Sequence, residues 1–124
     1  MERQIWQKAM RLRRPEEFKQ VWSKGRSWAH PLLILWALPN DLGRVRVGIT
    51  ASRKVGKAVA RNRARRLLRE AARQLYHHIA SGWDVVLVAR APLLEVKAPD
   101  VMQALESLLR RSQLWIILED TEQG

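Results

Sequence analysis

The chain has 124 residues, enough for one domain that buries roughly two thirds of its unfolded surface. Its 47% apolar content is that of a globular protein, so a disordered basic tail is excluded. Lys+Arg 23 against Asp+Glu 12 leaves a net charge of +11, which calls for a polyanionic partner or an acidic membrane surface. With no cysteine, disulfides, thiol catalysis and cysteine-based metal sites are ruled out. His30, His77 and His78 lack metal-ligand spacing and read as surface or turn residues, so no metal site is assigned. No apolar run approaches the roughly 18–20 residues of a membrane-spanning helix, and residues 1–12 lack the apolar stretch of a secretory signal. A cytoplasmic protein with no membrane partner is the expectation.

In chain order, residues 1–13 are polar and basic and read as a flexible or partly draped lead-in. Pro15-Glu16-Glu17 opens a helix, since proline suits the first turn and acids complement the positive end of the macrodipole. Phe18, Val21 and Trp22 give it one apolar stripe, and Gly25 is the expected stop. The apolar run 31–38 reads as a strand, as does the alternating segment 44–50. The short 39–43 connection predicts that these two pair as a hairpin. A basic connector holding Arg53 and Lys54 leads to a long helix over about 57–76. Residues 83–90 form a third strand, and a last helix runs from about Asp100 to Arg111. This order predicts a single α+β domain over 1–124: a small, mainly antiparallel sheet with packed helices, ending in an acidic tail at 119–124. The apolar segment 114–118 reads as either an extra edge strand or a self-association patch.

The long helix carries the chemistry. At about 100° per residue, Ala64, Leu67, Leu68, Ala71 and Leu75 gather in one arc, while Arg61, Arg65, Arg66, Arg69 and Arg73 fill most of the opposite side. A solvated charged face needs both signs, yet Glu70, beside Arg63 on the wheel, is the only acid in the segment. An unrelieved arginine ridge points to phosphate, and arginine rather than lysine suits bidentate contacts and base stacking. An Ala/Leu opposite face with no aromatic anchor argues against a membrane helix. Asn62 inside the run reads either as a local backbone-bonding residue or as a polar contact to RNA.

The segment Lys57-Ala-Val-Ala-Arg61-Asn62-Arg63-Ala-Arg65-Arg66-Leu-Leu-Arg69-Glu70 resembles the signature of the bacterial ribonuclease P protein subunit. The Arg61-Asn62-Arg63 tripeptide is its most specific part. The flank from Arg46 to Gly56 and the spacing of Phe18, Trp22, Gly25 and Trp36 agree as well, so the resemblance spans about residues 11–115. It implies a fold like domain 2 of ribosomal protein S5, with a left-handed βαβ crossover that general rules disfavour. It also implies that Arg53, Lys54, Lys57, Arg61, Asn62, Arg63, Arg65, Arg66, Arg69 and Arg73 dock on the catalytic RNA subunit, one protein to one RNA. A cleft holding Phe18, Trp22, Trp36 and Arg46 would take the single-stranded 5′ leader of precursor tRNA. Aromatics beside an arginine form a sequence-tolerant single-strand platform, although Phe18 and Trp22 equally suit a core. No catalytic residue is expected in the protein: the acids are scattered, so hydrolysis and its magnesium would belong to the RNA. The alternatives are a ribosomal or structural RNA binder using the same helix, and a stand-alone nuclease.

Overall fold

A computed structural model describes residues 8–118; the expectations for residues 1–7 and for the acidic tail at 119–124 lie outside it. Helix α1 (Pro15–Lys24) is followed by strands β1 (Arg26–Ala29), β2 (Leu33–Pro39) and β3 (Arg46–Ala51). Then come helix α2 (Ala58–Leu75), strand β4 (Trp83–Ala89) and helix α3 (Ala98–Arg111). The α+β architecture is as expected, and the helix bounds fall within two residues of those read from the sequence.

The strand pairing differs. The sheet order is β1-β2-β4-β3, so β4 lies between the two strands expected to form a hairpin. β2 pairs antiparallel with β4, and β3 pairs parallel with β4, with α2 as the crossover. The reason is burial. Asp84, Val85, Val86, Leu87 and Ala89 of β4 are all buried, and a strand covered on both faces takes the centre of a sheet. The true hairpin joins β1 to β2, with Arg26 opposite Ala37 and Ala29 opposite Ile34. β1 was not foreseen: Arg-Ser-Trp-Ala lacks apolar alternation, and as an edge strand it is mostly exposed.

Side-chain alternation gives the sheet two working faces. Leu33, Leu35, Ala37, Val45, Val47, Val85, Leu87 and Ala89 join Ala64, Leu68, Ala71 and Leu75 of α2 and Val101, Leu105, Leu108 and Leu109 of α3 in the main core. The other face is covered by α1 and by Leu12 just before it: Val21 packs with Val86 and Leu12, and Phe18, Trp36 and Leu38 pack around them. Residues 11 and 12 are draped on the open edge of β3: Arg11 bridges Val47, and the Leu12 N–H donates to the Val47 carbonyl at 2.9 Å.

Two glycines let α1 sit close. A Cβ on Gly25 would lie 2.6 Å from the Val21 carbonyl oxygen and 2.9 Å from that of Ala37. A Cβ on Gly48 would lie 2.8 Å from the Phe18 ring. Both approaches need a residue without a side chain. Beyond α3, Leu114 is buried and Trp115 forms a bridge with Ile79, while Ile117 is 81% exposed.

Candidate nucleic-acid interface

Helix α2 lies flat on the core through alanines and leucines, which turns its arginines outward. They are not equivalent. Arg61, half-buried, donates from Nη1 to the Gly56 carbonyl at 3.1 Å. Arg65 donates from Nη2 to Oδ1 of Asn62 at 2.5 Å, so the Asn62 side chain serves a neighbouring arginine within the helix. Arg73 is paired with Glu70, whose carboxyl is held below its usual range chiefly by that hydrogen bond. Arg63, Arg66 and Arg69 are exposed and have no hydrogen-bond or ion-pair partner among the described residues. Lys57 stands at the helix start, where its carbonyl accepts from the Arg61 N–H but its side chain makes no capping bond, and Gly56 before it has φ 141°, a backbone state that side chains resist.

The aromatic trio is on the opposite face of the sheet. Trp22 meets Trp36 edge to face at 5.2 Å between ring centroids, and Phe18 lies 6.3 Å from Trp22. Phe18 is half-buried against Gly48, whereas Trp22 remains 40% exposed. Phe18 therefore anchors α1, and Trp22 and Trp36 present ring surface to solvent at the helix–sheet junction.

Arg46 shares that face with Trp36, but the two are on strands separated by β4, not on neighbouring strands as expected. Its guanidinium forks onto Asp84, with Nε to Oδ1 at 2.9 Å and Nη2 to Oδ2 at 2.8 Å, and Nη1 reaches Glu17 Oε2 at 3.0 Å. The Asp84 hydrogen bonds, ahead of its charge, raise the arginine's pKa further. Burial alone would raise the Glu17 carboxyl. The N–H groups of Arg13 and Arg14 and the charge of Arg46 outweigh it and hold the carboxyl below its ordinary value. Arg46 thus clamps α1 to the two parallel strands.

Farther along this face, beyond the reach of α1, lies a hollow of about 620 Å³. Its floor includes Ile34 and Val88, and its rim holds Ser52, Arg53, Lys54 and Arg90. Ile34 is two residues from Trp36 on β2, so the hollow continues the aromatic surface with an apolar floor and a basic rim. Arg53 and Lys54, grouped with α2 from the sequence, therefore line the sheet face. A second basic cleft of about 490 Å³, on the other side of α1, gathers Arg11, Arg13, Arg14, Arg44 and Arg46 around Glu17. Arg11 Nε is buried there with no hydrogen-bond partner. Sequence reading passed over Arg11, Arg13, Arg14, Arg44 and Arg90. The one available signal was the pair Arg13-Arg14 before the helix-opening Pro15.

Among the described residues, no three His, Asp or Glu side chains converge as a metal site. Glu17 and Asp84, the acids flanking the cleft, are both engaged by Arg46 and so fit a magnesium ion poorly. Among the described residues, no helix is long and apolar enough to cross a membrane.

Fold and site together define a basic α+β nucleic-acid-binding domain, with an arginine helix on one side and an aromatic, basic-rimmed cleft on the other. The sequence profile of the ribonuclease P family matches residues 6–113, and the chain belongs to that family. Among its relatives is the ribonuclease P protein component of Herpetosiphon aurantiacus, 43% identical over 109 residues, covering 88% of this chain and 89% of that protein. That of Caldanaerobacter subterraneus is 37% identical, covering 88% and 94%. The ribonuclease P protein of Staphylococcus aureus superposes with a TM-score of 0.77 at 28% identity, covering 87% of this chain and 99% of that one. That of Thermotoga maritima gives 0.73 at 32%, covering 82% and 96%.

Proposed function

We propose that this chain is the protein subunit of ribonuclease P and assists removal of the 5′ leader from precursor tRNA in the cytoplasm, one protein to one RNA. The observation that carries this reading is the set Arg63, Arg66 and Arg69, charged, exposed and without partners among the described residues on a helix of a ribonuclease P family member. The relatives favour it over a ribosomal or structural RNA binder. Lys57, Arg61, Arg63, Arg66 and Arg69 face the phosphates of the catalytic RNA subunit, while Arg65 and Asn62 pre-order each other for it. The leader runs over Trp22 and Trp36, where bases stack, toward the Arg53, Lys54 and Arg90 rim, where phosphates are neutralised.

In this reading the bond chemistry and its magnesium belong to the RNA. The protein neutralises crowded phosphate where leader and RNA subunit meet, which raises affinity for substrate and for metal at the RNA. Incubating precursor tRNA with the chain, with the cognate RNA subunit, and with both at low magnesium tests the division of labour. Cleavage should need the RNA and be stimulated by the chain. Cleavage by the chain alone would assign the chemistry to the protein instead.

A further inference from the structure

Arg11, Arg13, Arg14 and Arg44 stand outside both the arginine stripe of α2 and the hollow given to the leader. They line the cleft of about 490 Å³ beside α1. Arg46, in the same lining, is spent on Glu17 and Asp84. Glu17, the one acid of the lining, is spent as well. Its Oε1 accepts the Arg13 and Arg14 N–H groups at 2.9 and 3.0 Å, and its Oε2 accepts from Arg46 Nη1 at 3.0 Å. The other four arginines have no ion-pair partner among the described residues, so their charges are left to an outside anion.

Two of the four are held in place from behind. Arg11 bridges Val47 on the edge of β3, and Arg44 donates from Nε to the Ala9 carbonyl at 3.0 Å. Arg11 Nε is buried in the cleft without a hydrogen-bond partner. A buried N–H without an acceptor is costly, and an incoming oxygen that meets it removes that cost. The lining also says which anion fits. No aromatic ring borders the cleft, so nothing there stacks a base, whereas guanidinium forks match phosphate oxygens.

We propose that Arg11, Arg13, Arg14 and Arg44 grip the phosphodiester backbone of RNA, a third RNA contact at the β3 edge of the sheet. This rests on the chain being an RNA-binding subunit, but not on α2 being its docking face. The contact is blind to sequence: it adds affinity and fixes register, and base identity is read elsewhere. Arginines already tethered to β3 and to Ala9 lose little freedom on binding. A row of four cations spread along an open cleft suits successive phosphates of one chain better than a single small ion.

The test replaces two exposed arginines of the cleft, Arg13→Gln with Arg44→Gln, and leaves the Arg46 clamp intact. Affinity is measured across salt for the cognate RNA subunit, and for precursor tRNA on the assembled holoenzyme. For one of these RNAs the salt slope should fall in magnitude by about two, with a loss of about ten- to sixtyfold at about 0.1 M salt. The urea transition should not move. A control of equal charge on exposed lysines, Lys19→Gln with Lys97→Gln, should keep the parent slope. An unchanged slope for both RNAs, or an equal fall in the control, overturns the proposal. In the RNA-free chain, a short RNA duplex should also move the Arg11 Nε–H resonance. A resonance moved by neither duplex nor pyrophosphate, or by pyrophosphate alone, overturns the RNA contact too, the latter in favour of a free oligophosphate. Failure of the α2 reading looks different: Arg66→Ala with Arg69→Ala would leave the slope unchanged while the Arg13 and Arg44 pair still lowers it.

Discussion

Arg46 shows how far a residue's role depends on its neighbours. Its sequence position beside a predicted aromatic platform points to RNA, yet three of its N–H donors hold Asp84 and Glu17. Asp84 is only 4% exposed, and a buried carboxylate is costly without its partner. Arg46→Ala should therefore cost about 2–4 kcal/mol in urea unfolding, with Arg46→Lys recovering part of it. An RNA-contacting arginine with no structural role would leave the urea midpoint unchanged. Glu17 adds a pH dependence. Its carboxyl is held below the ordinary 4.5, so its contribution is complete above that value and is lost as pH falls through the lowered folded-state value. Unfolding free energy should drop below about pH 4.5, and Glu17→Gln should flatten that limb. For Trp36, half-buried and in edge contact with Trp22, truncation to alanine should weaken leader-bearing precursor about tenfold. Mature tRNA should bind as before. Equal loss for both would make Trp36 a packing residue only.

At the scale of elements, α2 was legible because eighteen residues repeat one 3.6-residue pattern and the two faces differ in kind. Single-residue roles within it were not, since whether an arginine is free depends on whether Asn62, Glu70 or a carbonyl lies within reach. That sorting yields a prediction. Arg66→Ala with Arg69→Ala should weaken binding to the RNA subunit and reduce the magnitude of the salt slope by about two, with the unfolding transition unchanged. A preserved slope would remove the stripe from the interface. The strands were less legible. Short connections suggest hairpins, but the parallel pairing of β3 with β4 brings together segments more than thirty residues apart, and nothing local records it. Gly25 was read as a helix stop, which it is. Its closer duty, letting α1 approach the Ala37 carbonyl, is a contact between elements and invisible in sequence. Gly25→Ala should accordingly destabilise the fold by about 1–3 kcal/mol in thermal or urea unfolding.

Across the described molecule, basic side chains stand on both sides of one thin sheet. α2 carries Arg63, Arg66 and Arg69, without partners among the described residues, away from the core, while Arg53, Lys54 and Arg90 border the cleft on the other face. The two basic surfaces are thus separated by the sheet. The family resemblance over about residues 11–115 implied both contacts, but the sequence did not show that Arg53 and Lys54 line the hollow on the sheet face. In the proposed holoenzyme the leader lies in the cleft while the catalytic RNA holds the helix. The most direct test of this arrangement is the stimulation of the RNA subunit by this chain at low magnesium, measured on precursors with a leader of one nucleotide and of eight. A leader held in the cleft gives a clearly larger gain in kcat/KM for the long leader, a difference that Trp36→Ala erases. Equal stimulation of both precursors would contradict it.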